Sequence, residues 1–247
     1  LSFSPCSSYA SRHGQSPLKE RKRPFGLKIV CPGVDEDIED MGALSINRCA
    51  VLLLTAGLLT GCSYLMPNPY TAGAQVVTTH ELARGFLKAK GLPETQVRMG
   101  QPGDRFRFDG ITVRLVHAVH GSGHPEPPGY YGGAALGFII TFENGLTVYF
   151  SGSTTLTMDM QLWGSMYQPD VAILVLSGNR AVKDIAQMAR LLAIGNPRLK
   201  TVIPHHHRLQ PPAGAPTPQD LAREIQALNL PVTILSPELK KEYTLTP

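Results

Sequence analysis

Three histidines stand in a row, His205, His206 and His207, where the apolar run of "KTVIPHHHRLQPP" breaks off. Imidazole nitrogen is the commonest protein ligand for metal ions. At the end of a buried strand it can meet ligands carried on neighbouring strand ends. The chemistry this raises is the binding of a metal ion. His120 ends a second apolar stretch, "ITVRLVHAVHGSG", and Ser153-Thr154 ends a third, "TVYFSGST". A nucleophilic serine is the competing reading of Ser153, but no Gly-x-Ser-x-Gly elbow surrounds it. The four cysteines, Cys6, Cys31, Cys49 and Cys62, all precede these stretches. A metal held there would have nitrogen and oxygen ligands only.

Periodicity outlines the elements that must carry these residues. Thr78 to Glu81 reads as a capping box, with Leu82, Phe86 and Leu87 at helical spacing before Gly91 stops the helix. Asp109-Gly110 and Asn144-Gly145 mark hairpin turns between alternating stretches. "DVAILVLSG" is a continuous apolar run suited to a buried central strand. One helix is expected over 182–194, ended by Gly195, and another opens with Thr217 as N-cap and Pro218 at its first position. Hairpins followed by strands alternating with helices predict an α/β layered domain with a mixed sheet.

Strand period places Ile111, Val113, Leu115, His117 and Val119 on one face and His120 on the other. His117 then reads as a structural histidine. His124, in "GHPEPPGYYGG", is as well suited to solvent as to a substrate. Tyr130 and Tyr131 are loop aromatics that could line a pocket.

Composition allows one or two globular domains, with 43% hydrophobic and 17% charged residues. A net charge of +4, concentrated in "KERKRPFGLK" and followed by "DEDIED", reads as a solvated face and not as a nucleic-acid footprint. Residues 1–40 show no sustained period and are expected to be an unstructured or spurious leader. Residues 41–62 have the layout of an export signal: Met41 as a start, Arg48 as the basic region, and an apolar core over 51–59 too short to span a bilayer. Leu59-Thr60-Gly61-Cys62 resembles the lipobox of bacterial lipoproteins, which implies lipidation of Cys62 and attachment to the cell envelope.

From residue 71 to 247 the chain resembles the metallo-β-lactamase superfamily, in particular its small metal-dependent hydrolases related to ascorbate-phosphate lactonases. "VRLVHAVHGSG" is similar to the family's strand ending in Ala-x-His-Ser-Ser, and "VYFSGSTTLTMDM" to its Tyr-His-Ala-Gly-Asp-Thr segment with a later Asp-Met. "QPDVAILVLSGN" and "VIPHHH" are similar to two further segments in the same order. The resemblance implies an αββα sandwich with mixed sheets, here partial. It puts His120 and His206 on metal-ligand positions and Ser153 on the place of a bridging aspartate. Asp159, His205 and His207 become candidates for groups that hold the ligands. The family's His-x-His-x-Asp-His motif has no counterpart among the eight histidines, and the segment before "QVVTTHELARG" reads as the signal instead of a strand ending in histidines.

Two readings of function follow. One is a hydrolase of ester, lactone or phosphoester bonds in small molecules, with a degenerate centre that holds at most one zinc ion, weakly, and has low or no activity. The other is a non-catalytic binding or remnant domain that keeps half the fold. Nothing in the sequence sets the substrate or the oligomeric state.

Overall fold

The computed structural model describes residues 27–30, 51–53, 75–88, 91–124, 130–177, 179–208, 210–238 and 241–247. Its first elements are β1 (Leu27–Val30), β2 (Val51–Leu53), β3 (Gln75–Thr79) and α1 (His80–Leu82), which runs on as a π-helical turn over Ala83–Leu87. Then come β4 (Val97–Gly100), β5 (Arg105–Phe108), β6 (Ile111–His117), β7 (Gly123–His124), β8 (Tyr130–Tyr131), β9 (Leu136–Thr141) and β10 (Thr147–Phe150). The C-terminal part alternates: α2 (Asp159–Tyr167), β11 (Val171–Val175), α3 (Val182–Ala193), β12 (Thr201–His205), α4 (Pro218–Ala227), β13 (Thr233–Ile234) and β14 (Glu242–Leu245).

Turn chemistry sets the first half. Asp109 and Gly110 take φ of 34° and 87°, the conformation of a two-residue hairpin, and leave Phe108 paired with Ile111. Asn144-Gly145 sits in a longer connection that pairs Thr141 with Thr147, with the Asn144 side chain accepting from the Leu146 amide at 3.1 Å. These hairpins lead into parallel pairs of β10 with β11, β11 with β12, and β12 with β13. The result is a mixed seven-stranded sheet in the order β13-β12-β11-β10-β9-β6-β5. Every residue of β11 is buried, as its unbroken apolar run requires.

Both faces of this sheet are covered. Val113, Leu115, Phe138, Ile140, Val148 and Ile173 pack with Val77 of β3 and Leu245 of β14. On the opposite face Val116, Ile139, Tyr149 and Leu174 meet Trp163 of α2, Ile185 and Met188 of α3, and Leu221 of α4. Leu82 and Leu87 cover the outer side of β3 and β4 with Val76 and Val97. The layers are therefore helix, sheet, sheet, helix, the sandwich that the resemblance implies.

Three local readings change. The N-cap of α1 is Thr79, one residue later than expected, and its hydroxyl accepts from the Leu82 amide at 3.2 Å. Leu27–Val30, placed by the sequence in an unstructured leader, pairs antiparallel with β14. Val51–Leu53, placed in the export signal, pairs parallel with β3. Strands of four and three residues are too short to show a period inside charged or Gly-rich surroundings. Cys62 and the rest of the lipobox lie outside the described residues. Among the described residues no helix is long and apolar enough to cross a membrane.

Candidate functional site

The parallel strands β10, β11 and β12 share their carboxyl ends, and each is followed by a loop that bends over the same edge. This is where an open α/β sheet places ligands. Leu176, just after β11, donates its amide to the His205 carbonyl at 2.7 Å, tying the second loop to the third. Ser151, after β10, accepts from the Val175 amide at 3.1 Å and lies 3.4 Å from Nε2 of His205. The loop after β6 joins them: the Val119 amide donates to the Thr154 hydroxyl at 2.9 Å, and the Thr155 amide donates to the Val119 carbonyl at 3.2 Å. His120, Ser153 and the histidine run thus belong to one connected set of loops.

Arg180 is the group that links them. Its Nε donates to the Thr154 carbonyl at 2.8 Å, and its Nη2 donates to the Ser153 hydroxyl at 3.2 Å. Its Nη1 donates to the Ser177 hydroxyl. Partial burial holds the guanidinium somewhat below its usual pKa without discharging it. Ser153 itself is 8% exposed. The position that the resemblance assigns to a bridging carboxylate is therefore a buried hydroxyl that accepts from a cation.

The histidines divide by environment. His205 packs on Phe150 with ring centroids 4.9 Å apart. Burial first, then the neighbouring His206, holds its pKa far below the ordinary histidine value, with His207 and Arg180 adding to the effect. It is a neutral, structural imidazole at neutral pH. His206 is exposed and has φ of 63°, a left-handed conformation uncommon outside glycine. His120 is exposed, with Nδ1 2.6 Å from the Gly121 carbonyl. A carbonyl can only accept, so Nδ1 carries the proton and Nε2 keeps the lone pair that a metal would need.

His117 packs as a structural histidine, and it engages Asp159. Nε2 of His117 is 3.0 Å from Oδ2 of Asp159, and its ring meets the Trp163 ring edge-on at 5.2 Å. His117 thus turns towards α2, on the opposite side from Leu115, held there by the Asp159 carboxylate and the Trp163 ring. Asp159 opens α2 and pairs with His117 instead of supporting a ligand. Nδ1 of His207 lies 3.4 Å from the Arg208 carbonyl. His124 lies in β7 opposite Tyr130, and neither side chain is among those described; Tyr131 is 61% exposed.

Among the described residues, no group of three or more His, Cys, Asp or Glu side chains converges to hold a metal ion. Sequence reasoning overlooked Arg180, Ser151 and Ser177. Only their place after β10 and β11 could have marked them, since a lone arginine in a polar loop otherwise looks solvated.

Comparison with known proteins identifies the lineage. Residues 55–207 match the family described as the beta-lactamase superfamily domain. The chain belongs to that family. A UPF0173 metal-dependent hydrolase of Myxococcus xanthus is 30% identical over 223 residues, covering 88% of this chain and 76% of its own length. A namesake from Methanoculleus marisnigri is 34% identical over 165 residues, covering 66% of this chain and 70% of its own. Among solved structures, the metallo hydrolase Igni18 of Ignicoccus hospitalis is 25% identical with a TM-score of 0.56, the match covering 70% of this chain and 69% of that one. The chain is accordingly a metal-dependent-hydrolase-like protein of this superfamily. The family match begins at Thr55, inside the segment that the sequence assigned to an export signal. No relative cited here points to the ascorbate-phosphate lactonases.

Proposed function

We propose that the chain is a family member with a degenerate metal centre, binding at most one zinc ion weakly through His120 and His206, with low or absent hydrolase activity. One observation carries this: the Ser153 hydroxyl, in the place of a carboxylate ligand, accepts from the Arg180 guanidinium. A catalytic zinc site takes about three protein ligands and an open position, and two exposed histidines with a serine held by a cation in the third place do not fit that demand. Any residual activity falls on ester, lactone or phosphoester bonds of small molecules, the class that the family resemblance suggests.

Zinc titration of three proteins tests the reading. Ser153→Asp alone should gain little, because the new carboxylate pairs with Arg180. Ser153→Asp combined with Arg180→Ala should bind zinc more tightly than either parent. Equal gains in the single and double variants would contradict the role assigned to Arg180.

Attachment to the envelope is a separate proposal, supported only by the Leu59-Thr60-Gly61-Cys62 pattern. Expressed in a bacterium from Met41, the protein should collect in the membrane fraction, and Cys62→Ala should release it. An unchanged distribution of the variant would show that the pattern is accidental.

A further inference from the structure

Among the described residues Arg180 has no acidic partner. The ion pairs among the described residues are His117–Asp159, Arg198–Asp170, Arg223–Asp220 and Lys241–Glu238. Arg180 instead donates to three neutral acceptors, the Thr154 carbonyl and the Ser153 and Ser177 hydroxyls. A guanidinium has five N–H donors, so about two remain after these bonds. Each serine hydroxyl that accepts from Arg180 also keeps its own hydrogen to donate. Among the described residues neither hydroxyl has an acceptor for it. The cluster is a half-buried positive charge surrounded by unspent donors, and donors of this kind are satisfied by an oxyanion.

Arg180 also lines an open cleft of about 810 Å³, whose walls include Ala181, Val182 and residues 211–217. Three further charged residues, Asp220, Arg223 and Glu224, line it. Asp220 is taken up by Thr217 and Arg223. Arg223 is paired with Asp220, which leaves Arg180 as the cation of this lining without an ion pair among the described residues.

We propose that Arg180, Ser153 and Ser177 form an anion site that binds a small molecule by a carboxylate or phosphate group without a metal ion. The guanidinium then supplies the positive charge that a metal would otherwise bring to these loops. The proposal rests on the degenerate-centre reading, but it fails by a different measurement.

Full-length protein, stripped of metal with EDTA and then dialysed free of the chelator, would be titrated calorimetrically with inorganic phosphate and, separately, with acetate. Saturable binding of at least one anion is expected, and the anion that binds identifies the group recognised. Arg180→Met should weaken it by about tenfold or more, as loss of a charge-assisted pair requires. Arg180→Lys should weaken it less, since it keeps the charge but loses the planar fork. Far-UV circular dichroism checks each fold, and if Arg180→Met does not fold, Arg180→Lys and Ser177→Ala must each weaken binding. No saturable binding of either anion, or binding indifferent to these substitutions, would overturn the proposal. Binding that appears only with added zinc would do so as well. Two zinc ions per chain would instead overturn the degenerate-centre reading.

Discussion

Asp170→Ala should lower the stability of the fold by about 3 kcal/mol, the upper end of the cost of leaving a buried donor without its acceptor. Asp170 is 2% exposed and stands where α2 hands over to β11. Arg198 grips it with both ends of the guanidinium, Nε to Oδ1 at 3.0 Å and Nη2 to Oδ2 at 2.8 Å. The same carboxylate accepts from the Thr147 amide at 2.8 Å, at the first residue of β10. One side chain thus joins the starts of β10 and β11 to the turn before β12. In the alanine variant Arg198, whose side chain is 42% exposed, can turn to water, but the buried Thr147 amide cannot. That unsatisfied donor accounts for about 1–3 kcal/mol of the loss. Asp170→Asn keeps one acceptor and should lose about half as much. Thermal unfolding reads the effect as a fall of roughly 6–12 °C in Tm for a loss of about 3 kcal/mol. A fall within scatter would mean that the pair is dispensable.

Gly164→Ala sets two effects against each other. Alanine favours a helix over glycine by about 1 kcal/mol, and Gly164 lies inside α2. A Cβ there would stand 2.3 Å from the Leu192 carbonyl oxygen and 2.8 Å from its carbonyl carbon, both backbone atoms of α3. No rotamer relieves a contact with backbone, so α2 and α3 must separate and loosen Trp163, Met188 and Leu192. Overpacking of this kind costs about 1–3 kcal/mol, and a contact this short belongs at or above the upper end. The clash wins. Net destabilisation is expected by denaturant titration, with the midpoint lowered and the slope unchanged; a stabilised variant would show that the helices are not held so close.

Much of the fold was legible because local chemistry and pattern agreed. Asp109-Gly110 demanded a tight turn, Thr217-Pro218 a helix start, and the apolar run through β11 a buried strand. The site was legible only as strand ends carrying His120, Ser153 and the histidine run. What decides its chemistry is which side chains meet, and that depends on contacts between residues 26 or 27 positions apart, such as Arg180 with Thr154 and Ser153. Period read His117 as a structural histidine but put it on the face of Leu115, whereas Asp159 and the aromatic face of α2 draw its ring the other way. β1 and β2 were missed for a related reason: their pairing comes from strands far away in sequence, β14 and β3.

The central claim, that the metal centre of this family member is degenerate, is tested most directly by metal analysis of the unmodified full-length protein. The protein would be loaded with excess zinc, dialysed exhaustively against metal-free buffer, and assayed for zinc per chain. A two-histidine site should fall well short of the roughly 10–16 kcal/mol apparent binding of structural zinc sites, so dialysis should leave well under one zinc per chain. Two tightly retained zinc ions per chain would contradict the account and show that His117, His124, His205 or His207 supplies ligands assigned here to packing or solvent.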